Sequence, residues 1–330
     1  MGRVSTEVTA YDPVLPEVKM NLVPPAQPVV GRVVSNDPCL KGKSASFVRH
    51  TEIDISGTPL AGNFFSGQSF GVIAPGVDEN GKPHKVRLYS IACPTWGEDG
   101  QAKVFSTTPK RTIDEYKPQK PGDDETRHDL FLGVCSNYLC DLRPGDEVRV
   151  TGPNGKRFLL PVNPDDHDYL FFAAGTGIAP FRGFVKELLE RRDGPSPSRI
   201  QLIMGSPYTT DLLYDELFTS TAARHENFHY HTAISREPLP GQRRGRYVDQ
   251  LIADMIDEFR ELLASPRTLI YICGLLGMQI GIFRVLAEHG LGDGYMTVGD
   301  ELASVDPSQW PEDQIKRRVR PTRRCMIEVY

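Results

Sequence analysis

The sequence predicts two domains of different class: an antiparallel β domain, then an α/β domain built on a parallel sheet. Three observations predict it. The chain has 330 residues, more than one core comfortably serves. From about residue 28 to 160 the apolar residues alternate in short runs broken by turn signals, the pattern of an antiparallel barrel or sandwich. From about residue 168 the apolar runs become continuous and alternate with helical patterns, as in a parallel sheet covered by helices on both faces.

The alternating runs are QPVVGRVVSN, FVRHTEIDIS, SFGVIAPG, HKVRLYSIA, KVFSTT and DEVRVTGPNG. One exception, SNYLCDL, reads as a short helix closed by the turn RPGD. In the second region DYLFFAAG and RIQLIMGS each precede a helical pattern, FRGFVKELLERR and DLLYDELFTS. FHYHTAIS and TLIYICG repeat the theme, the latter leading into GMQIGIFRVLAEHG. In CMIEVY, Met326, Ile327 and Val329 read as a short buried strand that carries Tyr330 to a fixed place. The polar linker PVNPDDHD separates the halves. The expected domains are a flexible leader over 1–27, a β domain over 28–162 and an α/β domain over 163–330. The leader is Pro-rich and has neither the apolar core nor the arginine content of a targeting peptide. ETRHDL with the preceding KPQKPGDD, and much of 292–324, are expected to be solvent loops.

Hydrophobic residues make up 39% and charged residues 25% of the chain, as in ordinary soluble globular proteins. No apolar run approaches the roughly 20 residues that span a bilayer. Six cysteines are too sparse for a disulfide framework, and none forms a C-x-x-C pair. No metal site is therefore expected, and a reducing cytoplasm fits. The formal charge of −5 argues against nucleic acid as the main partner. Basic residues cluster nonetheless at Lys316, Arg317, Arg318, Arg320, Arg323 and Arg324, and at Arg243, Arg244 and Arg246. They form either a solvated surface or a positive patch for an acidic protein or a phosphate.

Several motifs can carry chemistry. RLYSIA ends a barrel strand and places Arg87 and Tyr89 on one face and Ser90 on the other. The arginine could clamp a phosphate, the tyrosine stack on a flat ring and the serine bond its edge; a plain strand with a surface arginine looks the same. GVCSNYL puts Gly133 and Ser136 before a helix whose free amides suit a pyrophosphate, with Ser136 as N-cap, or simply caps a helix. GTGIAP follows the first parallel strand and opens a helix, with glycines for a tight turn and close nucleotide approach, but lacks the third glycine of a dinucleotide fingerprint. ISRE ends the third strand, where Ser235 and Arg236 form either a ribose 2′-phosphate site or a turn. CGLLGM ends the fourth, so Cys273 faces the crevice where such sheets bind ligands, or is a small buried hydrophobe.

Together RLYSIA, GVCSNYLCDLRPG, GTGIAPFRGF, SPYTTDLLYDELF, ISRE, CGLLGM and EVY, in this order over about residues 30–330, resemble the plant-type ferredoxin–NADP⁺ reductase family. The resemblance implies a six-stranded antiparallel barrel holding FAD, then a five-stranded parallel-sheet domain for NADP(H). It implies that Arg87 binds the FAD diphosphate with Leu88 beside it, that Tyr89 lies on one isoalloxazine face and that Ser90 bonds near flavin N5. Gly133, Val134, Cys135 and Ser136 wrap the pyrophosphate. Thr176, Ser206 and Pro207 lie at the nicotinamide cofactor, and Ser235, Arg236 and Tyr247 surround its 2′-phosphate. Cys273, Gly274 and Leu275 line the nicotinamide pocket, with Glu328 beside Cys273. Tyr330 stacks on the other flavin face and must swing aside for hydride transfer. Ser90, Cys273, Glu328 and Tyr330 are thus the catalytic set.

The implied activity is electron transfer between NADP(H) and an acidic carrier, ferredoxin or flavodoxin. The reductase component of a multicomponent oxygenase would share these motifs; a non-catalytic flavin-binding module is the more distant alternative. Three features depart from the family pattern. Gly245 stands where many relatives have a lysine, with Arg244 or Arg246 as substitutes. The adenine-stacking tyrosine has only Tyr116 as a candidate. The stretch between His289 and Cys325 is longer than usual.

Overall fold

The six alternating runs become six strands: β1 (Val29–Pro38), β2 (Arg49–Asp54), β3 (Ser69–Ile73), β4 (Arg87–Ser90), β5 (Val104–Thr107) and β6 (Glu147–Asn154). The computed structural model describes residues 11–40, 42–44, 46–116, 118, 121–126, 129–238 and 244–330. They form two units, Val18–Lys156 and residues 157–330 joined by 11–17.

In the first unit the sheet order is β4-β3-β6-β1-β2-β5, antiparallel throughout. Its two edges meet. Ala92 N–H donates to Ser106 C=O at 2.8 Å, and Thr107 Oγ1 donates to Ser90 C=O at 2.8 Å. The sheet thereby closes into a barrel and leaves no long bare edge. Its interior takes every second residue of the strands, among them Ile53, Phe70, Val72, Phe105, Val148 and Val150, which is why the period of two was visible in sequence. Helix α1 (Val134–Asp141) is fixed by Asn36 on β1. Asn36 Nδ2 donates to the carbonyls of Leu139 at 3.0 Å and Leu142 at 2.7 Å, and its Oδ1 accepts from Thr51 Oγ1 at 2.7 Å. These bonds satisfy carbonyls that a helix C-terminus leaves open.

The leader is not loose from residue 11 on. Asn21 N–H donates to Pro153 C=O at 2.8 Å, Val23 exchanges both backbone bonds with Gly152 at 2.9 Å, and the Val23 side chain is buried. Val162 N–H donates to Val14 C=O at 2.9 Å. These backbone pairings, which need no apolar periodicity, hold the segment. The first ten residues lie outside the described ones. The division between units falls at Arg157, ahead of the polar linker, because Phe158, Leu159 and Leu160 are buried in the second unit. The Phe158 ring packs 5.8 Å from Phe181, 5.7 Å from Phe184 and 5.3 Å from Tyr271, whose hydroxyl donates to Leu159 C=O at 2.7 Å.

The second unit has strands β7 (Asp168–Ala174), β8 (Ile200–Ser206), β9 (Phe228–Ile234), β10 (Thr268–Gly274) and β11 (Cys325–Val329). They pair in parallel in the order β9-β8-β7-β10-β11. The helices are α2 (Ala179–Leu189), α3 (Asp215–Arg224), α4 (Val248–Asp254), α5 (Ile256–Ala264) and α6 (Leu276–Glu288). One face of β7 and β10 presents Phe171 and Tyr271 to Phe181 and Phe184 of α2, with Tyr169 packed beside Phe171 and Tyr271. The other face presents Leu170, Phe172, Ile270 and Ile272 to a core containing Val248, Ile252, Phe259 and Phe283. Central strands buried on both faces have no polar side to alternate with, hence the continuous apolar runs.

Residues 292–324 are not a solvent loop. They hold a hairpin of Met296–Val298 with Val319–Pro321 and two short helices, Asp300–Ala303 and Glu312–Arg318. Single apolar residues spaced among charges, Tyr295, Leu302, Trp310 and Ile315, are the anchors, and all are buried. Arg324 is also structural. Its guanidinium donates to the carbonyls of Ser265 at 2.6 Å and Thr268 at 3.0 Å and lies 4.8 Å over the Tyr295 ring. The stretch 117–128 falls partly outside the described residues, and the strands Ile113–Glu115 and Leu130–Leu132 that flank it pair as a hairpin.

Candidate functional site

In the second unit two groups of residues gather at the carboxyl ends of the parallel strands. The first is built on β7, β10 and β11. Gly175–Ile178 forms a tight turn after β7 and leads into α2, with Pro180 in its first turn. Gly177 is there for packing: a Cβ would lie 2.2 Å from the Cys273 carbonyl oxygen, so only glycine lets the turn rest on the end of β10. Cys273 and Glu328 are register partners across β10 and β11, so their side chains leave the sheet on the same side. Burial pushes the Cys273 thiol well up, with the nearby Glu328 adding to it. Burial also raises the Glu328 carboxyl, to about 7. Near neutral pH that group is divided between acid and base forms.

Tyr330 completes this group. Its N–H donates to Gly274 C=O at 3.0 Å, and its hydroxyl lies 2.9 Å from Thr176 Oγ1. The residue as a whole is 67% exposed, yet desolvation still raises the phenol; the hydroxyl end is tucked in while ring surface stays open. Leu275, exposed, precedes α6.

The second group joins β8 to β9. Ser235 N–H donates to Ser206 C=O and Arg236 N–H to Pro207 C=O, both at 2.9 Å. Ser206 is buried, and its Oγ donates to Tyr208 C=O at 3.1 Å. The Arg236 side chain is exposed, as is Tyr247, at the start of α4. Gly245 packs flat on this turn: a Cβ there would meet the Ser235 carbonyl oxygen at 2.4 Å. A lysine at 245 has no room on this backbone. Arg246 is committed to Asp254 at 2.9 Å, while Arg244 is exposed. Arg243 lies outside the described residues.

In the first unit β4 and the start of α1 come together. Tyr89 is half-buried, its ring 6.5 Å from Phe70, and burial raises its phenol, with Cys135 close by as hydrogen-bond partner. Cys135 Sγ also reaches Val72 C=O at 3.7 Å. Ser90 pairs with Ser69 across β3 and β4. Arg87 and Leu88 are exposed. The N-cap of α1 is Gly133, not Ser136. Ser136 sits in the first turn, where its Oγ donates to Gly133 C=O and accepts from Thr112 N–H, each at 3.2 Å. The amides of Val134, Cys135 and Ser136 have no carbonyl of their own helix to bond, and such a terminus favours an anion.

Beside it the hairpin leaves Ile113, Leu130, Phe131 and Leu132 exposed, as are Leu88 and Val134. Ile113, Leu130 and Leu132 share one face of the hairpin, an exposed apolar surface on which a flat ring can rest. Arg87 and the α1 amides supply the positive charge and N–H groups that suit a diphosphate. The hairpin was missed in sequence; its signal is the run DLFLG just ahead of GVCSNYL. Tyr116, half-buried, donates its N–H to Asp129 C=O at 2.8 Å beside that hairpin.

Comparison with known proteins agrees with this architecture. Residues 171–282 match the family model described as "Oxidoreductase NAD-binding domain". The chain is 40% identical over 281 residues to a ferredoxin–NADP reductase of Thermosynechococcus vestitus, covering 84% of this chain and 70% of the relative. It is 34% identical over 317 residues to the cyanelle ferredoxin–NADP reductase of Cyanophora paradoxa, covering 95% and 80%. A solved structure of the ferredoxin–NADP⁺ reductase from Plasmodium falciparum superposes with a TM-score of 0.66 at 23% identity, covering 94% of this chain and 99% of that one. With identities of this size over most of both lengths, the chain belongs to the ferredoxin–NADP reductase family.

Proposed function

We propose that the protein is an FAD-dependent oxidoreductase that moves electrons between NADP(H) and ferredoxin. When bound, FAD supplies hydride exchange with nicotinamide and single-electron exchange with the carrier. The observation that carries the reading is the convergence of Cys273, Glu328, Tyr330 and Thr176 at the carboxyl ends of β7, β10 and β11, where open α/β sheets bind nucleotides.

Arg87, Leu88, Tyr89 and the Gly133–Ser136 turn hold the flavin nucleotide, with Ser90 at the edge of its ring. Thr176, Ser206, Pro207, Gly274 and Leu275 hold the nicotinamide nucleotide. Ser235, Arg236 and Tyr247 select the 2′-phosphate, helped by the exposed Arg244. Cys273 positions the nicotinamide within the roughly 3–3.5 Å that reacting atoms need, and Glu328, its carboxyl raised to about 7, takes and returns a proton. The Tyr330 ring covers the flavin face until nicotinamide displaces it.

The carrier docks through the basic surface around Lys316 and Arg317. A reducing cytoplasm suits a chain with no disulfide among its six cysteines. No helix among the described residues is long and apolar enough to cross a membrane.

Purified protein tests the reading directly. A yellow protein bleached by NADPH that passes electrons to ferredoxin is expected. A colourless protein, or a yellow one inert to NADPH, would overturn it.

A further inference from the structure

On the outside of the barrel three side chains of ligating type converge. Among the described residues His50, Glu52 and Glu98 are the group of His, Cys, Asp and Glu side chains whose donor atoms all lie within 4.8 Å of one another. His50 and Glu52 stand two apart on β2 and therefore share one face of it, while Thr51 and Ile53 on the other face are buried. Glu98 comes from the turn between β4 and β5. His50 Nε2 lies 3.6 Å from Glu52 Oε1 and 3.5 Å from Glu98 Oε1, and the three side chains are only 13%, 26% and 9% exposed.

These spacings carry the inference. They exceed the usual 2.9–3.0 Å of a hydrogen bond. Ligands held at about 2.0–2.1 Å from a tetrahedral zinc ion stand about 3.3–3.4 Å apart, close to both measured edges. The third ligand is also held in place before any ion arrives. Glu98 N–H donates to Val104 C=O at 2.9 Å, Ala102 N–H donates to Trp96 C=O at 2.7 Å, and Asp99 Oδ1 accepts from Gln101 N–H at 3.1 Å. Behind it Ser106 Oγ donates to Glu98 Oε1 at 2.6 Å, the outer-shell bond that orients ligating carboxylates. Two largely buried carboxylates around one imidazole also place negative charge where a cation is favoured.

We propose that His50, Glu52 and Glu98 bind one divalent transition-metal ion, with zinc the best match to an imidazole and two carboxylates. The ion ties β2 to the turn that precedes β5, next to the seam where Ala92 and Ser106 close the barrel. Its role is structural: it takes no part in electron transfer.

The test uses the FAD-loaded protein without an affinity tag, stripped of metal and titrated with Zn²⁺ against a chromophoric chelator. Wild type is expected to take up one equivalent. Glu98→Gln and His50→Ala should weaken it by about tenfold or more, since even groups behind a ligand change affinity by 10–100-fold. Glu98→Gln keeps an acceptor for Ser106, and unaltered flavin absorbance confirms that it folds. Zinc-edge X-ray absorption should show nitrogen and oxygen neighbours only, and Zn²⁺ should raise the unfolding temperature of wild type but not of the variants. No saturable uptake, equal uptake by wild type and both variants, or sulfur in the zinc shell would overturn the proposal.

Discussion

The hydroxyl of Tyr330 and Oγ1 of Thr176 are 2.9 Å apart, so the terminal ring is held at its far end by the turn that follows β7. The same turn rests, through Gly177, on the end of β10. Removing the bond without removing the ring separates its two roles. Tyr330→Phe should release the hydroxyl end and tighten NADP⁺ by about two- to tenfold, from the roughly 0.5–1.5 kcal/mol of one hydrogen bond. Tyr330→Ser, which also removes the ring, should tighten it further and let NADH react better. Flavin difference spectra on titration with NADP⁺ measure this; unchanged affinity in both would leave Tyr330 a structural cap.

Glu328 makes stability depend on pH in an unusual direction. Its carboxyl is raised by burial from 4.5 to about 7, so between those values the folded chain keeps a proton that the unfolded chain releases. Stability is fully present below about pH 4.5, falls as pH rises to about 7, and stays at the lower level above. At 1.36 kcal/mol per pH unit the change is on the order of 3 kcal/mol. Glu328→Gln should remove this slope, seen as a smaller difference in unfolding free energy between pH 5 and pH 8. An identical slope in the variant would show that Glu328 ionises normally.

The turn under Gly245 separates cofactor selection from stability. Gly245→Lys supplies the lysine of many relatives but drives a Cβ to 2.4 Å from the Ser235 carbonyl oxygen. It should destabilise the protein by about 1–3 kcal/mol without strengthening NADPH binding. Arg236→Ala, with its backbone bond to Pro207 intact, should instead cut the preference for NADPH over NADH by about ten- to a hundredfold, from a charge-assisted bond of roughly 1.5–3 kcal/mol. The ratio of kcat/KM values for the two cofactors decides. Tighter NADPH binding in the lysine variant would contradict the packing.

The basic residues near the end of the chain divide by role. Arg318 pairs with Glu301 at 3.1 Å and Arg323 reaches Asp12 at 4.0 Å, while Arg324 serves the core. Lys316 and Arg317 are exposed. Exchanging both for glutamate should slow ferredoxin reduction at low salt and leave NADPH-dependent dye reduction unchanged. The defect should fade toward 1 M salt, where the Debye length is about 3 Å. A rate for ferredoxin that is unchanged at low salt would move the docking surface elsewhere.

Much of this arrangement was legible because it repeats. Each barrel strand and each parallel strand has a period or a run that burial imposes; GTGIAP, ISRE and CGLLGM sit at strand ends, and RLYS is β4 itself. What could not be read depends on single contacts. Leader residues such as Asn21 are held by backbone pairing, which leaves no compositional trace. Tyr295, Trp310 and Ile315 anchor 292–324 one at a time, below the threshold of any periodic signal. The spacing of Val248, Leu251, Ile252, Ile256, Phe259, Leu262 and Leu263 is helical and marks α4 and α5, yet without a motif it was passed over. Gly245 could be seen only as a missing lysine, because the carbonyl that excludes a side chain belongs to a residue ten positions away.

The way Tyr330 is attached also sets what must move when it lets go. Its backbone is anchored on both sides, by its own N–H to Gly274 and by Leu276 N–H to its carbonyl at 3.4 Å, so releasing the ring unpairs no strand and disorders no loop. Moving the ring changes only the side chain: its torsions, the hydroxyl's hydrogen bonds to Thr176 Oγ1 and the Gly177 backbone, and the contacts of its open face. Rotation of an exposed side chain is intrinsically a picosecond to nanosecond event, so a displaced ring leaves the end of β11 and its pairing to β10 undisturbed.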